Sequence, residues 1–273
     1  MEPLLCSTGA LITSKNGRDY KLLKDLARAL DCDAFEFLMY SSWYDEWERV
    51  AQEVAALGLS FPIFHVEKRV GTAISRNAEG DLEEAAKLFE INCHMAELIG
   101  AKKLVFHLWD GEPSDRDIGN NIRQYAVMDT IAKQHGLLLT VENVVCNREN
   151  PLKHLGQLHE AYPDIAFTFD VKFAQFHGEL ETACTQNYNW LWDGAVQHVH
   201  ISDYAGGLME WGKLRSLHPG EGEIDYRAFF AHLRKMGYQG SVTIESTSVL
   251  GDGSVDVDRM NESLGFLRTL MKG

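Results

Sequence analysis

The stretch FTFDVKFAQFHGE, residues 167–179, begins as an alternating apolar run and then sets a carboxylate, Asp170, where the run ends. Alternation with period two marks a strand whose successive side chains face opposite ways, so Thr168 and Asp170 share one face. A charge on the inward face of a strand is costly unless it is paired or binds a cation. Asp170 is therefore either a satisfied structural group or a ligand, and the other strands have to decide which.

Seven further runs have the same character: LLCSTGAL (4–11), AFEFLMY (34–40), SFPIFHVE (60–67), KKLVFHLWD (102–110), LLLTVENVV (137–145), VQHVHISD (196–203) and SVTIEST (241–247). Between them lie stretches such as DYKLLKDLARAL (19–30), DEWERVAQEVAALG (45–58), DLEEAAKLFEINCHMAELIGA (81–101) and YRAFFAHLRKMGY (226–238), whose apolar residues recur at three and four as on one face of a helix. Gly100, Gly136, Gly194 and Gly237 punctuate the ends of helical stretches before strands. Strand and helix alternating eight times predict parallel strands with right-handed crossovers, and eight strands close a barrel. At 273 residues the chain matches the size of a one-domain (β/α)8 TIM barrel, so a single domain over 1–273 is expected. The less regular stretches 67–82, 110–120, 204–222 and 247–256 all follow strands, which places the long loops on the C-terminal, catalytic face.

Lys and Arg number 26 against 40 Asp and Glu, for a net charge of −14, and such a field repels polyanions and anionic membrane surfaces. Neither nucleic acid nor a membrane is expected as partner. Cys6, Cys32, Cys93, Cys146 and Cys184 are scattered, odd in number and without a CxxC pair, as suits reduced thiols. With no basic, apolar leader in MEPLLCSTGA and no apolar run long enough to span a bilayer, the expected location is the cytoplasm.

Strand parity sorts the polar residues. Thr140 pairs with Glu142, Thr168 with Asp170, His198 with His200 and Thr243 with Glu245. Glu142, Asp170, His200 and Glu245 then fall near the C-terminal ends of strands five to eight and converge on one rim. Three carboxylates so close would raise one another's pKa values unless a divalent cation neutralised them. Three oxygen ligands and one imidazole suit Mn²⁺, Mg²⁺ or Co²⁺ and accept Zn²⁺, and nothing calls for an organic cofactor. His65 and His107 also end strands; they are read as substrate contacts or, with Glu142 as a bridge, as a second metal site. Arg215 and His218 are the expected substrate contacts in the loop before 226. Lys172 shares the parity of Asp170 and is either a salt-bridge partner for a carboxylate or an electrophilic helper. Trp109, with Trp43, Tyr44 and Trp211, is a candidate for a stacking contact near the mouth. His198 lies one step deeper than His200 and is read as a core hydrogen-bonding group, while Glu36, central in AFEFL, either bonds inside the barrel or touches substrate.

At TVENV (140–144), FDVKF (169–173), HVHISDY (198–204), HPGEGEIDY (218–226) and TIEST (243–247), in that order and spacing, the chain resembles the xylose-isomerase-like TIM-barrel superfamily of sugar phosphate isomerases and epimerases. The resemblance implies one divalent metal on Glu142, Asp170, His200 and Glu245, with Glu142 and Glu245 as catalytic acid and base. It implies proton transfer on a ketose or related sugar or polyol through an enediolate, giving epimerisation, isomerisation or dehydration, as in an inosose dehydratase. A homo-oligomer is a family-level expectation. The related apurinic-site endonucleases use three zinc ions. His65, His107, Glu142, Asp170, His200 and Glu245 look like ligands for two of these, but the third set is unmatched: Phe173 stands where a histidine is wanted and LRSLH precedes PGEG where Asp-x-His is expected. Lys172 and Phe173 also depart from the Asp-x-Gly-His run common among sugar epimerases, so the substrate is expected to differ from theirs. The HPGEGEIDY loop is either a phosphate-binding turn ahead of a helix or simply a tight turn.

Overall fold

Each alternating run folds as a short strand: β1 (Leu4–Ser7), β2 (Ala34–Leu38), β3 (Ile63–His65), β4 (Lys103–Phe106), β5 (Leu138–Glu142), β6 (Ala166–Asp170), β7 (Val196–Ile201) and β8 (Ser241–Ile244). In the computed structural model, which describes residues 1 and 3–273, they close in chain order into an all-parallel barrel with helices between the strands, a (β/α)8 TIM barrel. The helices are α1 (Thr8–Leu11), α2 (Leu23–Ala29), α3 (Trp47–Ala55), α4 (Arg69–Arg76), α5 (Asp81–Leu98), α6 (Ile118–Gln134), α7 (Pro151–Ala161), α8 (Val171–Phe176), α9 (Leu180–Ala183), α10 (Tyr226–Lys235) and α11 (Val257–Lys272). Among the described residues no helix is long and apolar enough to cross a membrane.

The chain divides into two compact units, Met1–Glu36 with Phe169–Gly273, and Phe37–Thr168, the cuts falling inside β2 and β6. In the first unit β1 pairs with β8 through Leu5 and Thr243, and β7 with β8 through His200 and Thr243. In the second, β3, β4 and β5 pair in sequence, and β5 meets β6 with Glu142 opposite Thr168. Apart from a few residues such as Leu138, the strands are buried on both faces, as parallel strands under helices must be.

Several boundaries differ from the reading of the sequence. LLCSTGAL is strand only to Ser7, whose hydroxyl accepts from the Gly9 amide and caps α1. The stretch 67–82 is not irregular: it contains α4, which buries Val70, Gly71, Ala73 and Ile74. A Cβ on Gly71 would lie 2.0 Å from the His107 carbonyl oxygen, so glycine lets this helix approach the end of β4.

Candidate metal centre

Asp170 is the last residue of β6 and is fully buried. Its Oδ1 accepts from the Phe173 amide at 2.7 Å and so caps α8, which turns off directly after the strand. Its Oδ2 lies 3.7 Å from Lys172 Nζ, beyond hydrogen-bond reach. One oxygen thus holds the backbone at the start of α8. His200, also fully buried, and Glu245, in the position after β8, bring their donor atoms within 4.8 Å of one another and of Asp170. The Glu245 amide donates to Ile201 at 2.8 Å, which extends the β7–β8 register by one step and fixes its backbone.

Glu36 is the residue whose role the sequence left open, and it organises this cluster. It lies in β2 opposite Ser7, with no exposed surface. Its Oε2 accepts from both His198 Nε2 (2.8 Å) and His200 Nε2 (3.0 Å). Its Oε1 has no hydrogen-bond partner among the described residues. Burial alone would raise the Glu36 pKa, but the charge and hydrogen bonds of His200, followed by those of His198, outweigh it and hold the carboxyl well below its usual range. With Nε2 of His200 turned to Glu36, its Nδ1 lies 3.5 Å from Glu245 Oε2. His198 joins Glu36 to Ser241 (2.8 Å) and Thr243 (3.1 Å), a core hydrogen-bonding role. The signal in the sequence was the charge itself, one carboxylate among the apolar residues of AFEFL.

In the second unit Glu142 ends β5 with its side chain 1% exposed, whereas that of Glu245 is 18% exposed. His107, just after β4, sets Nε2 2.8 Å from Glu142 Oε2 and donates from Nδ1 to Asp110 Oδ2 at 2.5 Å. Burial would lower the His107 pKa, yet Asp110 and Glu142 overcome it, and the value is pushed up to about 10. His65, the last residue of β3, donates from Nδ1 to the Val66 carbonyl at 3.1 Å and sets Nε2 3.7 Å from Glu142 Oε2. The donor atoms of His65, His107 and Glu142 lie within 4.8 Å of one another.

Of the remaining expected contacts, His218 and Trp109 are turned into the packing, while Lys172 stays within ion-pair distance of Asp170. His218 is buried, its Nδ1 2.8 Å from Ser263 Oγ and its Nε2 3.1 Å from Ser248 Oγ, so both ring nitrogens serve the packing of loops against α11. Trp109 has no exposed surface and donates from Nε1 to the Val144 carbonyl, which makes it a brace between loops and not a stacking platform. Trp43 is likewise buried, Arg215 is exposed, and Trp211 is half exposed. Lys172 lies over the Phe173 ring at 4.3 Å and donates to Ser216 at 3.1 Å, beside Asp170. The HPGEGEIDY loop is clasped by Asp203, which accepts from the Gly220 (2.8 Å) and Ile224 (3.2 Å) amides. A Cβ on Gly222 would fall 2.3 Å from Asp203 Oδ1, so this loop is a tight turn whose glycine is sterically required.

Residues 25–270 match the family model of the xylose isomerase-like TIM barrel. Similar solved structures include a xylose isomerase domain protein from Alicyclobacillus acidocaldarius, 22% identical, covering 99% of this chain and 98% of that one with a TM-score of 0.73. A D-tagatose 3-epimerase-like protein is 17% identical over 99% and 97% of the two chains, with a TM-score of 0.70. An IOLI protein with a binding zinc atom is 13% identical over 99% and 98%, with a TM-score of 0.77. No curated protein matches the sequence.

Proposed function

The chain belongs to the xylose isomerase-like TIM-barrel family, and from that premise we propose that it is a divalent-metal-dependent isomerase or epimerase of a ketose or related sugar or polyol, working as one domain over 1–273. The observation that carries the reading is the convergence of Asp170, His200 and Glu245 at the ends of β6, β7 and β8, with donor atoms within 4.8 Å of one another. Glu142 is proposed as the fourth ligand. It stands opposite Thr168 in the β5–β6 register, and Asp170 is the next residue along β6 on the same face. Three carboxylates and an imidazole presenting Nδ1 fit a divalent ion that accepts oxygen and nitrogen donors, Mn²⁺, Mg²⁺, Co²⁺ or Zn²⁺.

When bound, such an ion supplies Lewis acidity that polarises the sugar carbonyl and steadies the enediolate. The rest belongs to the side chains. Glu142, with His107 Nε2 2.8 Å from its Oε2, is assigned the removal of the proton from the carbon beside the carbonyl. Glu245, more open to solvent, is assigned the return of a proton. Return to the opposite face of the same carbon gives the epimer, and return to the adjacent carbon gives the isomer. His65 and His107, flanking Glu142, are assigned to substrate hydroxyls rather than to a second metal.

With Mn²⁺ supplied, deuterium from heavy water is expected to wash into one sugar carbon across a panel of ketoses, phosphorylated and unphosphorylated. Glu142→Gln is expected to slow that exchange by about 10²–10⁴-fold with the fold intact by circular dichroism. Undiminished exchange in the variant would remove Glu142 from its role.

A further inference from the structure

A second group of ligand-type side chains sits on the helices, at the opposite end of β5 from Glu142. Glu90 and His94 are one turn apart on α5, and His135 follows the last residue of α6, just before the Gly136 turn into β5. Residues four apart on a helix lie on one face. We infer that Glu90, His94 and His135 form a zinc site that clips α5 to the end of α6, with water at the fourth position.

The donor atoms of the three lie within 4.8 Å of one another. His135 Nε2 is 3.0 Å and His94 Nε2 3.8 Å from the same oxygen, Glu90 Oε1. Two imidazoles and one carboxylate, with an open position, are a donor set that zinc accepts. Both rings are held for the task. His135 Nδ1 is 3.1 Å from Glu97 Oε2, a carboxylate–histidine pair that turns Nε2 toward Glu90 and His94. The His94 ring stacks on Trp47 at 5.7 Å and meets the His135 ring edge-on at 4.6 Å. The side chains of Glu90 and His94 are 42% and 47% exposed and that of His135 is 9% exposed, so the pocket has a fixed inner wall and an open outer one. The rival arrangement is a protonated His135 bridging Glu90 and Glu97 as an ordinary ion pair. Zinc would replace the proton between Nε2 and Glu90, and that proton would leave to solvent.

Because zinc also suits the barrel rim, the test uses the full chain carrying Asp170→Asn and Glu245→Gln, dialysed against zinc chloride and assayed for bound metal. One zinc per chain is expected, lost on adding His94→Ala or, separately, His135→Gln, and held about tenfold more weakly on adding Glu97→Ala. Histidine side-chain ¹⁵N spectra are expected to shift at His94 and His135 on zinc addition. No zinc in the rim-disabled chain, or the same zinc with and without His94, overturns the site. Neither outcome bears on the rim reading, which rests on other residues.

Discussion

Glu36 shows how much one buried side chain decides. A carboxylate inside a barrel has to be compensated, and here two imidazoles do so through a single oxygen. The consequence is an oriented His200 ring, with Nε2 turned to Glu36 and Nδ1 toward Glu245. Carboxylates that fix a ligating histidine in this way contribute to metal affinity without touching the ion. Glu36→Gln keeps the shape and an acceptor oxygen but removes the charge. We expect it to weaken Mn²⁺ binding about 10–100-fold in calorimetric titration, with the His200 side-chain ¹⁵N signals altered in the metal-free chain. Unchanged affinity and unchanged signals would show Glu36 to be a core residue only. The sequence marked Glu36 as an anomaly and left its partner open, because parity places a side chain on a face of its own strand and is silent on which distant strand supplies the histidines.

At the scale of elements, the strand ends were legible and the loops were not. Period-two patterning located all eight strands, and the ligand-type residues at their C-terminal ends follow from it. Arg215, His218 and Trp109 were placed by proximity in sequence to the mouth, and loop packing sends His218 and Trp109 inward instead. The loop after β5 shows what such packing depends on. Asp115, buried in the loop after β4, accepts from the amides of Asn147 (2.8 Å), Arg148 (3.0 Å) and Glu149 (2.9 Å) and from His154 Nε2 on α7 (2.9 Å). Burial would raise the Asp115 pKa, but these donors, with His154 foremost, lower it. Removing one partner of a buried, hydrogen-bonded charge pair is strongly destabilising. Asp115→Ala is expected to cost about 3 kcal/mol in urea unfolding and to speed amide exchange at 147–149 first. Slow exchange there in the variant would show that the loop is held by something else.

For the whole molecule, the order of strands was readable because helix and strand alternate without interruption, and a closed ring of eight leaves no choice of neighbour once each crossover is right-handed. What strand order cannot convey is the electrostatic cost of bringing Asp170 and Glu245 close together in a chain of net charge −14. Packing energy has to hold such carboxylates together in the absence of an ion, so a bound cation should be read out as stability of the entire fold. Mn²⁺ present at about a hundred times its dissociation constant, binding only the native state, adds about 2.7 kcal/mol. In a chain of this length that corresponds to a rise in Tm of about 5–10 °C. Asp170→Asn with Glu245→Gln is expected to abolish the rise while leaving the metal-free Tm equal or higher, since two of the repelling charges are gone. Mn²⁺ is the ion to use, because its preference for oxygen donors favours the carboxylate-rich rim over the two histidines on α5 and α6. If the variant gains as much from Mn²⁺ as the parent chain, the ion is binding away from the rim and the proposed ligand set falls with it.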